Sequence, residues 1–177
     1  MVEDDAAACA AVAEGCRELG IRRGDLARTM GGGAPGRFDG AVVRAPVDLL
    51  HVTADGESCV AVAHVVIRRA WWRGPLVLVM NAQYLGPYDV APRSHPNDGK
   101  ADVLTVAPTM GVRARLAARR RAVTGTHLPH PLLQTTQVAA HRVELERPAT
   151  VWVDGCRWRR ARVVDVKVEP DGVTIYA

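Results

Sequence analysis

The sequence has one phenylalanine, only two lysines (Lys100 and Lys167), no close cysteine pair and no long apolar run. Each scarcity excludes something. The cysteines Cys9, Cys16, Cys59 and Cys156 contain no Cys-x-x-Cys motif. Their spacing fits neither a zinc site nor a disulfide framework, and a reducing cytoplasm is the expected compartment. Cys9 and Cys16 would share one helix face, where they read as small apolar residues. The longest apolar stretches, Val60–Ile67 and Pro75–Ala82, stop well short of the ~18 residues a membrane-spanning helix needs. The opening Met-Val-Glu-Asp-Asp is acidic where a secretory signal would be basic. With lysine so scarce, the net charge of +4 and the pI of about 9.2 rest almost wholly on arginine. That balance favours a phosphate or anionic-membrane partner only modestly, since GC-rich coding gives the same bias. What is present is globular: 48% hydrophobic against 24% charged residues over 177 positions, enough for one domain or one domain with a short extra piece.

Residues 4–19 read as an alanine-rich helix with acidic residues at its start and Gly20 at its end. A second short helix is expected from Asp25, whose carboxylate could cap the amides of Ala27 and Arg28. Gly31–Gly40 is rich in glycine and marks the internal boundary, with a helical segment over 1–40 and a β-rich domain over 41–177. In the second part, Val47–Thr53 and Ser58–Arg68 are β-rich runs around an Ala-Asp-Gly-Glu hairpin turn. Pro75–Ala82, Ala101–Val106, Gln137–Leu145, Thr150–Val153, Arg162–Val168 and Gly172–Tyr176 continue the pattern. Short strands between Gly, Pro, Asn and Asp predict a mainly β protein, a two-sheet sandwich or distorted barrel. One helix near Gly111–Val123 interrupts it.

Several segments recur in the order and spacing of a known family. Met80-Asn-Ala-Gln-Tyr-Leu-Gly86 leads into Val90-Ala-Pro-Arg-Ser-His-Pro-Asn-Asp-Gly99 and then Ala101-Asp-Val-Leu-Thr-Val106. Gly125-Thr-His127, Val153-Asp154-Gly155 and Val168-Glu-Pro-Asp-Gly-Val173 follow. Together they resemble the C-terminal β-sandwich domain of the diacylglycerol/sphingosine-type lipid kinases, from about residue 75 to the end. Gly24-Asp25-Leu26-Ala27-Arg28 resembles the segment that closes the family's nucleotide-binding domain. The family's Gly-Gly-Asp-Gly-Thr loop, whose amides cradle ATP phosphates, has no counterpart, and the chain begins near where it would sit.

The resemblance implies ATP-dependent phosphorylation of a lipid hydroxyl, with Asp154 as general base. Cys156 stands where the family has a glutamate after the Asp-Gly, which puts catalysis in question; Asp154-Gly155 is equally a hairpin turn. Asp98, with the carbonyls of His95 and Lys100, matches a structural divalent-cation site suited to Mg²⁺, or is a plain turn. Gly24 and Asp25 match nucleotide-site residues, or Asp25 is only a helix cap. ATP would then require a second chain that supplies the nucleotide domain; a homodimer is the other partner expectation. The alternative is a non-catalytic lipid- or partner-binding domain.

Three arginine-rich clusters remain: Arg68-Arg-Ala-Trp-Trp-Arg73, Arg113 to Arg121, and Arg157-Trp-Arg-Arg160. Tryptophan beside arginine suits an anionic lipid surface at the inner membrane face. It also suits nucleic acid, the disfavoured partner, while the helix could simply be a solvated face. Of adjacent Trp71 and Trp72 on a strand, one ring should point away from the core. Pro129 keeps His127 and His130 from converging on a metal as a helical pair would.

Overall fold

The computed structural model describes residues 1–31 and 42–177. The rest of the glycine-rich stretch, and with it the boundary between residues 40 and 41, lies outside the described residues.

Helix α1 (Asp5–Ala13) is capped by Asp4, whose side chain accepts the Ala7 amide at 3.1 Å. It is shorter than the helix expected over 4–19. Gly15 turns the chain at φ 98°, and Glu18–Gly20 becomes strand β1. That strand pairs in parallel with the last strand of the chain and buries Leu19, with Ile21 buried just beyond. Tertiary pairing overrides helix propensity here. Helix α2 (Asp25–Thr29) follows.

The β-rich part comprises β2 (Arg44–Ala54), β3 (Glu57–Ala61), β4 (His64–Arg68), β5 (Leu76–Met80), β6 (Tyr84–Leu85), β7 (Tyr88–Asp89) and β8 (Ala101–Val106). Helix α3 (Val112–Ala122), β9 (Leu133–Val138), β10 (Ala140–Val153) and β11 (Cys156–Tyr176) complete it. The main sheet runs β3-β2-β11-β10-β4-β5-β8-β9, with β1 joined to β11; β6 and β7 form a small second sheet. Apart from β1, every pairing in the main sheet is antiparallel.

The chain is thus mainly β, as expected, and its sheet folds over on itself as a sandwich. Leu50 and Val52 of β2 share one core with Ile67 of β4, Val79 of β5, Val103 of β8, Val151 of β10 and Val164 of β11. Each fully buried aliphatic side chain contributes about 1.5–3 kcal/mol relative to exposure. Two outer clusters flank this core. One seats α1, β1 and α2 on Val47, Leu49, Val173 and Ile175. The other covers Leu76, Leu78 and Leu104 with Val90, Met110 and partly buried residues of α3.

Several strand expectations need correction. Ser58–Arg68 is two strands, because Val62 and Ala63 leave the ladder to present their amides to Asp154. Of the two runs within 137–153, Gln137 and Val138 end β9 and the rest form the single strand β10, while the two within 162–176 form part of β11. Register shifts between Glu144 and Ala149 and between Glu169 and Val173 absorb Pro148 and Pro170. Gly172 lies at the second shift, where a Cβ would come within 2.6 Å of Leu49. Most of strand β9 was not expected: its four central residues, Gln134–Gln137, are polar and exposed. Trp71 and Trp72 belong to the loop after β4 rather than to a strand, and both are exposed.

Candidate functional site

Asp154 and Gly155 join β10 to β11 with φ of 45° and 80°, so the Asp-Gly pair does make a tight hairpin turn. The side chain points inward. Its carboxylate accepts the Val62 amide at 2.8 Å and those of Ala63 and His64 at 2.9 Å, and the residue is only 5% exposed. Burial pushes its pKa up, against the pull of His64 and the three amides.

His64 links this turn to the N-terminal segment. Its Nε2 lies 3.0 Å from Asp25 Oδ2. Asp25 was expected to cap its own helix; instead its two oxygens accept the Gly86 amide at 2.9 and 3.0 Å. The cap of α2 is Asp5, which accepts the amides of Asp25 at 2.6 Å and Leu26 at 3.2 Å. Gly24, the N-cap position of α2, sits at φ 124°, and a Cβ there would meet Asp5 Oδ1 at 2.4 Å. Only glycine admits that approach. Burial pushes the Asp5 carboxyl up to about 7, with Asp154 and Asp25 adding repulsion. Burial also tends to raise Asp25, but the His64 and Gly86 hydrogen bonds outweigh it and hold the carboxyl below its usual range. For His64, burial favours the neutral ring, yet Asp25, Asp154 and Asp5 together raise its pKa.

Asp154, Gly24 and Asp25, named from the sequence, therefore meet in one buried cluster. Asp5 and His64 complete it. Asp5, Asp25 and His64 are the side chains among the described residues that could converge on a metal, with ligand atoms within 4.8 Å of one another. Their oxygens already hold backbone amides and an imidazole. His64 interrupts the apolar run Val60–Ile67, a signal the sequence offered; Asp5 read as an ordinary first-turn acid and gave none.

Asp98, His95 and Lys100 lie elsewhere, on an exposed turn. Asp98 Oδ1 accepts the Lys100 amide at 3.0 Å. Buried Asp48, unremarked in the sequence, braces the turn: its carboxylate accepts Gly99 N at 2.7 Å and Asp171 N at 2.9 Å. Asn81 donates to the carbonyls of Asp48 and Val62, both at 2.8 Å, and ties this brace to the Asp154 side. A carboxylate with neighbouring carbonyls is a hard oxygen set that suits Mg²⁺.

On the other outer face, α3 roofs an apolar pocket of about 250 Å³ lined by Trp71, Leu78, Leu104, Met110, Leu116 and Leu133. Arg115 is buried beneath α3 and donates to the carbonyls of Met110, Gly74, Ala107 and Trp71 at 2.9, 2.6, 3.3 and 3.4 Å. It clamps the Trp71–Gly74 loop to the helix. Arg68 lies between the Trp71 and Trp152 rings, at 4.5 and 4.8 Å from their centroids. His127 is buried with Nε2 3.1 Å from Val90 O, while His130 Nδ1 accepts the Leu132 amide, so the two histidines act separately.

No curated protein matches the chain. Among solved structures, a diacylglycerol kinase from Bacillus anthracis str. Sterne is similar at 18% identity, covering 89% of this chain and 67% of that one, with a TM-score of 0.63. Two further structures, each of a candidate diacylglycerol kinase from the same strain, match at 16% and 15% identity over 89% of this chain, covering 68% and 67% of theirs, with TM-scores of 0.61 and 0.62. At such identity they show the shared fold. A family model matches directly over residues 45–177, most of the chain, and by it this protein belongs to the YegS C-terminal NAD kinase beta sandwich-like domain family.

Proposed function

We propose that this chain is a lipid-binding, non-phosphorylating member of its family, which holds an acyl chain in the pocket beneath α3. The observation that carries this reading is the apolar pocket itself, open beside Trp71 and lined by Leu78, Leu104 and Leu133. Pockets of this kind take apolar ligands and use a few polar groups for orientation; Arg119 and His127 stand in the wall. The Asp154 carboxylate supports the non-catalytic half. A general base must reach the proton it removes, and this one is enclosed with three amides on it. Titrating a fluorescent fatty acid into the purified chain should give saturable binding that Leu104→Trp, by filling the pocket, abolishes. Unchanged binding in a folded Leu104→Trp variant would overturn the assignment.

A second reading is favoured by the meeting of Asp154 and Asp25 through His64: a lipid kinase completed by another chain carrying the nucleotide loop. Labelled phosphate passing from ATP to a lipid alcohol, and lost in Asp154→Asn, would establish it.

Mg²⁺ at the Asp98 turn, with the carbonyls of His95 and Lys100, belongs to either reading as a structural ion. Millimolar Mg²⁺ should raise the melting temperature, and Asp98→Ala should remove the rise. An equal rise in the variant would eliminate the site.

A further inference from the structure

Helix α3 is oriented against the usual rule for a helix on a protein surface. Its arginine at 115 is buried, while Val112, Leu116 and, just past its end, Val123 are 48, 50 and 51% exposed. These positions recur at i, i+4 and i+11, so they form one stripe on the outer side of the helix. Trp72, 57% exposed, and Trp71, 37% exposed, stand beside that stripe, because Arg115 fastens their loop to α3 and Leu116 shares the pocket wall with both rings. Scattered exposed apolar residues are ordinary, but a contiguous set of large ones marks an interaction surface.

The charge around the stripe identifies what covers it. Arg69, Arg73, Arg113, Arg119, Arg120 and Arg121 are all exposed. No acidic residue occurs between Glu57 and Asp89, nor between Asp102 and Glu144. The charged side chains that α3 and the Trp71–Trp72 loop give this face are therefore all arginines, with tryptophan and aliphatic side chains at its crest; the acid at its border, Asp89 beside Gly125, is engaged by Gln83 at 3.0 Å. A protein partner of that complementarity would need an acidic rim around an apolar groove. An anionic bilayer supplies both features at once: negative headgroups for the guanidinium groups, and an acyl boundary for the apolar tips. Tryptophan is favoured at that boundary because its ring is apolar and its N–H is polar.

We infer that α3 and the Trp71–Trp72 loop form a membrane-docking face that seats on anionic lipid bilayers, with the crest inserted and the arginines at headgroup level. Docking so oriented presents the pocket beneath α3 to the bilayer. The face is argued from its own residues, and it stands whether or not the pocket takes an acyl chain.

The test is vesicle co-sedimentation of the whole chain, with phosphatidylcholine alone or mixed with phosphatidylglycerol. Binding should require the anionic lipid and weaken as salt approaches about 1 M, where screening acts within about 3 Å. The triple variant Arg113→Gln, Arg120→Gln, Arg121→Gln should bind about a hundredfold more weakly. Removing as many arginines at Arg22, Arg23 and Arg142 should change little. Doxyl-labelled lipid should quench the tryptophan emission, and Trp72→Ala should lose most of that quenching. These side chains are exposed, so the variants should melt as the parent does. Equal binding to neutral vesicles, equal losses in the two triple variants, or tighter binding to single-stranded RNA would each overturn the inference. Fatty-acid binding is scored without vesicles, so an empty pocket and an undocked surface give separate negative results.

Discussion

Three backbone amides converge on Asp154, and an Asp154→Ala variant would leave each without an acceptor in the interior. An unsatisfied buried polar group costs about 1–3 kcal/mol. The variant should therefore lose at least about 3 kcal/mol of stability, read from the urea midpoint, where an exposed turn residue would lose about 0.5 kcal/mol or less. Asp5 carries a pH dependence of definite sign. Its carboxyl ionises at 3.8 in its ordinary state and at about 7 in the fold, so between those values the folded protein holds the extra proton. Its contribution is complete at pH below 3.8 and is lost as pH rises towards about 7. His64, also raised, adds a contribution present below its ordinary 6.5 and lost through its higher folded value. Melting temperature should fall from mildly acidic to mildly alkaline pH, and Asp5→Asn should flatten the acidic part of that slope. An unaltered slope in Asp5→Asn would remove Asp5 from the account. At this scale the sequence was informative where a motif marked a residue, as for Asp154 and Asp25. It was silent on Asp5, because a long-range partner and not its neighbours makes it a cap for α2.

Helix α3 owes its place to one buried guanidinium beside a stripe of small residues only, Ala114, Ala118 and Ala122. Arg115 satisfies carbonyls from its own N-terminal approach and from the Trp71–Gly74 loop, and hydrogen bonds to charged donors contribute about 1.5–3 kcal/mol. Arg115→Met keeps the volume and removes the donors. It should cost roughly 1–3 kcal/mol and free the loop, so that acrylamide quenches tryptophan emission more strongly. Stability loss without increased quenching would mean the loop is held by Arg68 and its two rings instead. The helix itself was legible from residues 111–123, but its buried arginine was not, since periodicity alone would turn Leu116 inward. The same division holds for the strands. Val47–Thr53, Pro75–Ala82 and Ala101–Val106 are apolar runs that any sheet would bury, and they appear as β2, β5 and β8. The break at Val62–Ala63 was hidden, because its cause is an aspartate 90 residues or more away. The polar edge strand β9 was hidden because it exists only through its pairing with β8.

Across the whole molecule, the groups that the family resemblance would assign to a nucleotide site are engaged with one another, and from this follows the expectation that the chain alone does not bind Mg-ATP below millimolar concentration. A phosphate site needs several backbone amides free to point at oxygens. The amides at the start of α2 are spent on the Asp5 carboxylate, which sits where an anionic group would have to enter. Asp25 is held by His64 and Gly86, and Asp154 by the turn at Val62–His64. A free helix N-terminus would offer an anion only about 0.3–1 kcal/mol. Even a millimolar ligand requires about 4 kcal/mol, and an incoming phosphate would also have to displace the buried Asp5 side chain from those amides. Calorimetric titration with Mg-ATP should show no saturable heat, and Asp5→Ala, which vacates the α2 amides, should gain at most weak binding of inorganic phosphate. A micromolar dissociation constant for the parent chain would defeat this expectation and restore a single-chain kinase. In that case residues 31–40, with their five glycines, would be the segment to mutate next.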